Sequence, residues 1–433
     1  MTSTLLKTSA FNAPTIRSLP NGLTIIAEQM PVESISLNLW LKIGSALESN
    51  EINGMAHFLE HMVFKGTSCL KSGEFERLVE ERGALTNAAT SQDYTHYHIN
   101  CVPQDFRDLT PLQLDVVFNP SIADEEFERE RLVVLEEIRR SNDNPRLQTF
   151  YRAMETCFEV LPYRRRVLGK ASIIEGLMAQ QMRDFHETWY QPESVTAVTV
   201  GNLPVETLID IVAKSFSQTC RSSSIKQKNA QEKKAVKFLP EVPFTKIVRR
   251  EFEDSSLQQS RLIMIWRVPG LIELDRIYAL DVLAVILGQG RVSRLFRDLR
   301  EDKKLVSRIN VSNMTHKIQG MFYISAQLLS ENILEVEQII IEQITHIRQT
   351  SVTETELNRV RIQVANRFVF SSESPSNRAN LYGYFYSQLQ DLESALTYPS
   401  RIQHLSLEDI QQAALDYLSP NAYGITIVRS TNK

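Results

Sequence analysis

The chain has 433 residues, 42% of them hydrophobic and 23% charged, with a formal net charge of -4. That length exceeds what one hydrophobic core usually supports, so two or more domains are the default expectation. The mildly acidic balance leaves no basic footprint for nucleic acid, and no apolar run reaches the roughly 18 to 20 residues that a membrane-crossing helix needs, so neither is expected as a partner.

The opening stretch, MTSTLLKTSAFNAPTIRSLPNG, lacks the central apolar region of a secretory signal. The four cysteines, Cys69, Cys101, Cys157 and Cys220, are scattered and form no CxxC pair. Both features fit a cytoplasmic protein with reduced, mostly buried thiols better than a disulfide framework.

Taken in chain order, NGLTIIAEQMPVESISLNLWLKIGS at 21–45 predicts two strands around a proline-containing turn. Residues 53–64 have helical character, and Gly66 is placed to stop the helix. GALTNAAT and YTHYHINCV, within 83–102, predict a strand pair. On it His96 and His98 alternate and share a face, but no carboxylate or thiol is spaced to join them at a metal. A long amphipathic helix is expected over 124–140, led by a Ser121-x-x-Asp124 capping box and closed before Pro145. SVTAVTVGN at 194–202 predicts a strand, and helical text follows to Cys220.

Residues 221–237, RSSSIKQKNAQEKKAVK, are polar, basic and without apolar periodicity, which marks a linker near the midpoint. Beyond it the order of elements repeats. SRLIMIWRVPG matches the earlier SISLNLWLKIG, the 353–370 amphipathic run matches 124–140, and AYGITIVRS matches SVTAVTVGN. The expected class is therefore α+β, with two related domains at 1–220 and 239–433 joined by a linker at 221–238.

The chemistry concentrates in HFLEH, residues 57–61. On a helix, positions i and i+4 share a face, so His57 and His61 can direct imidazole nitrogens at one ion. Zinc suits neutral imidazole, and a catalytic zinc takes three protein ligands and leaves a position for water. Glu60, between them, can reach that water and move its proton. The bland alternative, two histidines on a core helix, leaves a carboxylate among Phe58, Leu59, Met62 and Val63 without a reason. On ERERLVVLEEI, Glu130 and Glu137 lie two turns apart and hence on one side, supplying a third ligand with a second carboxylate behind it. Glu136 points about 100° away from that side and reads as solvated surface.

With HFLEH at 57–61 and Glu137 seventy-six positions beyond His61, the chain resembles the pitrilysin and mitochondrial-processing-peptidase superfamily of inverted-motif zinc peptidases. LPNGLTIIAE, GSALESNEINGMAHFLEHMVFKGT, FHETWYQPESVTAVTVGN and ILGQGRVSRLFRDLRED extend the likeness over nearly the whole chain. The resemblance implies two homologous α/β-roll domains, mostly antiparallel sheet covered by helices, that form half of a peptidase chamber. It implies one zinc per chain held by His57, His61 and Glu137, with Glu60 as general base and Glu130 as a supporting carboxylate. It gives Asn87 and Ala88 a substrate role at a strand edge that pairs with a bound peptide backbone. Arg300 stands where the family's second domain has a substrate-binding arginine.

Two departures follow from the same likeness. The position seven residues after Arg300, a tyrosine in the family, is Ser307, and GQGRVS has Gln289 and Arg291 where glycine and a small residue are usual. GQGRVS also mimics the start of a dinucleotide fingerprint, but Arg294 takes the third glycine's place. The expected function is thus a zinc endopeptidase for extended or unfolded peptides, the catalytic subunit of a dimer. The partner would be a homologous, non-identical subunit carrying the arginine and tyrosine, or a second copy of the chain. A targeting-peptide processing subunit and a non-catalytic structural core subunit are the alternatives.

Overall fold

The computed structural model describes residues 13–222 and 238–431, so most of the expected linker, 223–237, lies outside the described residues. The first strands are β1 (Thr15–Ser18), β2 (Thr24–Gln29) and β3 (Ile35–Leu41). Helices α1 (Met55–Met62) and α2 (Glu74–Glu80) precede the hairpin β4 (Leu85–Thr90) and β5 (Thr95–Cys101). Then come α3 (Phe106–Phe118), α4 (Asp124–Asn142), α5 (Pro145–Cys157), α6 (Ala171–Gly176), α7 (Ala179–Trp189), β6 (Val195–Gly201) and α8 (Val205–Ser222). The second series is β7 (Val248–Asp254), β8 (Ser260–Pro269), α9 (Tyr278–Gly288), β9 (Val306–Met314), β10 (Gln319–Leu328), α10 (Ile333–Gln349) and α11 (Glu354–Ser371). It closes with α12 (Pro375–Leu389), α13 (Glu393–His404), α14 (Leu407–Tyr417) and β11 (Gly424–Ser430).

Two sheets result, and they repeat one topology. The first runs β1-β2-β6-β3-β5-β4 and the second β7-β11-β8-β10-β9. Apart from the extra β1, each position in one order has its counterpart in the other. The single parallel pair also recurs in the same place, β2 with β6 and β7 with β11, while the other pairs are antiparallel. Strands β3 and β6 are buried along their whole length, so both faces of the first sheet are covered there. Strand β5 instead alternates, sending Thr95, Tyr97, Ile99 and Cys101 to the core and leaving His96, His98 and Asn100 half-buried on the other face. In the second sheet Leu262, Met264 and Trp266 of β8 and Phe322 and Ile324 of β10 meet α9, α10 and α14 in one apolar core.

The two compact units are not the contiguous halves expected. Among the described residues the first comprises 13–135, 167–222 and 371–395, and the second 136–166, 238–370 and 396–431. Helix α4 starts in the first unit and runs on into the second. Each unit takes a helix from the other half of the chain: α12 covers β3 and β6 of the first sheet, and α5 covers their counterparts β8 and β11 in the second. Both helices open with proline after a side-chain cap, Asn144 for α5 and Ser374 for α12.

The seating of α12 is tight. A Cβ on Gly383 would lie 1.9 Å from Trp40 Nε1, so only glycine lets the helix approach β3 this closely. Beside it, Glu28 on β2 is 1% exposed and accepts hydrogen bonds from Arg378 and from the Tyr382 hydroxyl, the latter at 2.8 Å. Asn38 Nδ2 donates to Asn380 Oδ1 at 2.7 Å.

One local expectation is corrected. Ser121 does not cap α4; its hydroxyl and its N–H both donate to the Gly66 carbonyl, and Ala123 accepts the first helical hydrogen bond, from Phe127. The chain turns between them at Ile122, which has φ 42°. Of the three cysteines described, Cys101 and Cys157 are buried free thiols while Cys69 is exposed; the Cys220 side chain lies outside the described residues. Among the described residues no helix is long and apolar enough to cross a membrane.

Replacing Arg378 by Met would leave Glu28 buried without its guanidinium, which costs roughly 3–5 kcal/mol for a pair of this kind. Burial raises the Glu28 pKa above the ordinary carboxylate value, against the lowering effects of Tyr382 and Arg378. The folded state therefore holds this proton more readily than the unfolded one. The stability tied to it is complete below the unfolded value and is lost as pH rises through the folded one. Denaturant titrations of Arg378→Met should accordingly show the largest deficit at neutral pH and a smaller one near pH ~4, the ordinary carboxylate range. A deficit independent of pH would contradict this account.

Candidate metal centre

Helix α1 has eight residues, and Met55, Phe58, Leu59 and Met62 bury its apolar side. Its first turn is held from outside. The Glu48 carboxylate, 4% exposed, accepts from the N–H groups of Gly54 at 2.9 Å and Ala56 at 2.7 Å, and from Asn53 Nδ2 at 2.8 Å. The first N–H groups of a helix have no partner within it, and a carboxylate there also meets the positive end of the helix dipole. At the other end the chain turns at Gly66, whose φ of +102° suits the expected stop.

So fixed, α1 presents His57 and His61 side by side, with ring centroids 4.8 Å apart. Burial, and secondarily His61, lowers the His57 pKa to about 3, so its imidazole is neutral at physiological pH, the form that binds metal. His61 Nδ1 lies 2.9 Å from Glu130 Oε1, and the other oxygen of Glu130 is 2.8 Å from Lys65 Nζ. Burial alone would raise the Glu130 pKa, but the hydrogen bonds from His61 and Lys65 outweigh it and hold the carboxyl below its ordinary value. An ionised Glu130 accepts a hydrogen bond from His61 Nδ1–H, which makes Nε2 the ring nitrogen able to bind an ion.

The structure brings His57, His61 and Glu137 together: one ligand atom from each lies within 4.8 Å of the other two. Two imidazoles and a carboxylate are a donor set that suits zinc in a three-ligand site. Glu60 stands outside this group, and its Oε2 accepts a hydrogen bond from the Thr90 hydroxyl on β4. Glu136 is turned to solvent, where it pairs with Arg139 at 2.7 Å and Arg140 at 3.0 Å.

Asn87 and Ala88 lie on β4, the edge strand of the first sheet. The Ala88 N–H donates to the Asn87 side-chain oxygen at 2.9 Å. Arg300 sits on the 296–302 helical turn of the second unit, its guanidinium 4.7 Å from the Phe296 ring centroid. Ser307, the second residue of β9, donates to Gln259 Oε1 at 2.6 Å and to the Gln327 carbonyl at 3.2 Å. His96 and His98 stack with centroids 5.7 Å apart, His96 lying against Trp40, and they join no metal-binding group among the described residues.

Three residues that shape this site were not singled out in the sequence: Glu48, Lys65 and Thr90. Lys65 had a signal, since it follows His61 by four positions. Glu48 and Thr90 had none, because their partners come from chain turns and strand pairing.

Residues 24–171 match the family described as Insulinase (Peptidase family M16), and residues 177–364 match the one described as Peptidase M16 inactive domain. His57, Glu60, His61, Glu130 and Glu137 all fall within the first match. An uncharacterized zinc protease of Rickettsia felis is 27% identical over 86% of this chain and 87% of its own length. The zinc protease PqqE of Helicobacter pylori is 26% identical over 92% of this chain and 89% of its own. The crystal structure of a protease from Helicobacter pylori superposes with a TM-score of 0.88 at 25% identity, covering 96% of this chain and 99% of that one. With both parts of the pattern in order along one two-domain α+β fold, the chain belongs to the insulinase or pitrilysin family of peptidases, family M16.

Proposed function

We propose that the chain is a zinc metallopeptidase that hydrolyses peptide bonds in extended or unfolded chains. The observation that carries this reading is the convergence of His57, His61 and Glu137, with Glu130 fixing the His61 tautomer behind them. Zinc bound by the three would supply a Lewis acid and a lowered pKa for water. Glu60 is the proton carrier. Its carboxylate takes a proton from the attacking water and hands it to the departing amine nitrogen, while the Thr90 hydroxyl holds it in place. The edge of β4 at Asn87 and Ala88 offers backbone groups to an extended peptide, which would take the Ala88 N–H from the Asn87 side chain.

Glu60→Gln should keep its zinc, measured by elemental analysis after gel filtration, while hydrolysis of an unstructured peptide falls at least ~100-fold. Loss of zinc in this variant would show that base and ligand have been confused. Glu130→Gln should instead weaken zinc retention by about 10–100-fold, because the His61 Nδ1 proton loses its ionised acceptor. Competition with a chelating dye measures this, and unchanged affinity would remove Glu130 from the site.

A dimer is the second part of the proposal, and the observation favouring it is Ser307. Its hydroxyl is spent on Gln259 and Gln327, so it does not replace the longer phenol that the family resemblance leads one to expect at that position. The missing contact is then supplied by a partner, either a non-identical relative or a second copy. Peptidase activity measured on size-fractionated protein, with and without a co-purified partner, checks this. Full activity in the monomer fraction would sink it.

A further inference from the structure

The second sheet carries a group of arginines that the zinc chemistry does not use. In the strand register Phe252, Val428, Arg261, Gln327 and Arg308 form one row across β7, β11, β8, β10 and β9, all on the face that α5 partly covers. Arg261 is half-buried, and Arg308, two strands away, is exposed. Two strand spacings put their backbones about 10 Å apart. Helix α5 adds Arg146 in its exposed first turn and Arg152, whose guanidinium lies 4.4 Å from the Phe252 ring centroid.

Arg261 Nε and Arg152 Nη1 are buried without a hydrogen-bond partner. A buried guanidinium N–H without an acceptor costs free energy, so two such groups on one face mark a place where an acceptor is expected. Burial, then Arg146 and then Arg308, lowers the Arg261 pKa, and Asp254 alone opposes them. Asp254 is itself occupied by the Ser256 N–H at 2.9 Å and hydroxyl at 2.6 Å. Around Arg261 the neighbouring charges are thus mostly guanidinium groups, with Asp254 the carboxylate that opposes them.

We propose that Arg146, Arg152, Arg261 and Arg308 form an anion-binding surface that takes the carboxylates of acidic peptide segments, so that this peptidase favours glutamate- and aspartate-rich substrates. The proposal rests on the peptidase reading. Guanidinium forks match carboxylates in shape, and spacing of this order suits a chain bearing several of them better than one small ion. The surface lies on the face opposite the apolar core that α9, α10 and α14 share with the sheet.

Binding can be measured apart from hydrolysis, using the full chain carrying Glu60→Gln and a labelled glutamate-rich peptide, with its glutamine analogue as control. The acidic peptide should bind about tenfold tighter or more, since a charge-assisted hydrogen bond contributes roughly 1.5–3 kcal/mol. The advantage should shrink with added salt. Arg261→Gln combined with Arg308→Gln should abolish it, Arg261→Lys should keep part of it, and zinc content and binding of the glutamine peptide should stay unchanged. Arg146→Gln, in an exposed position on which no packing depends, should weaken acidic binding even if the double variant folds poorly. Equal affinity for both peptides, or an unaltered preference in the Arg146→Gln variant, would overturn the inference. So would inorganic phosphate competing as strongly as the acidic peptide, since that would define a small-anion site. Because no step of this test needs turnover, such a failure leaves the peptidase reading standing. Conversely, a wild-type chain that hydrolyses no peptide refutes that reading whatever the binding shows.

Discussion

The site depends on one carboxylate bridge. Glu130 joins α4 to α1 by receiving His61 Nδ1 on one oxygen and Lys65 Nζ on the other. Buried without both partners it would shift toward its neutral form, and a neutral carboxyl no longer fixes the tautomer of His61. Lys65 thus acts on His61 through Glu130: its charge helps keep Glu130 ionised, and the ionised Glu130 orders the ring that the proposed zinc site needs. The same bridge ties down α4, which brings Glu137 to the histidines two turns further on.

The first sheet supplies the rest of the geometry. Glu48, in the turn before α1, sets where that helix begins and hence which way His57 and His61 face. Strand β4 does two things with one stretch of backbone. Its Thr90 side chain holds Glu60, and its free edge at Asn87 and Ala88 is where an extended peptide can pair. The Glu60 carboxylate and the proposed peptide register are therefore tied to the same strand, so a slip in β4 pairing would displace both together.

Much of this was legible in the sequence for identifiable reasons. The i, i+4 histidines and the two-turn spacing of Glu130 and Glu137 are properties of a single helix each, and local geometry transmits them directly. The repeated topology showed through because β3 and β8 carry similar apolar runs at matching places. What stayed hidden was what depends on contacts between distant segments. An amphipathic pattern says that α5 and α12 each bury a face but not against which sheet, so contiguous halves were the natural expectation. Ser121 fitted the spacing of a helix cap, yet the nearby Gly66 carbonyl took its hydroxyl instead. Glu48 capping α1 from six positions before Gly54 follows no local rule.

The exchange of α5 and α12 bears on how the chain is made as well as how it is held. During synthesis the α12 face of the first sheet stays uncovered before residues 371–395 exist, so β3 and β6 must wait with one apolar face exposed. Helix α5 emerges early and has no sheet to cover until β8 and β11 follow it. The last of these is also the last strand among the described residues. The first unit therefore waits for residues 371–395 and the second for β11 before its sheet is complete. A cut at the midpoint of the chain, which looks like a natural boundary, would leave two fragments that each carry the other's missing helix.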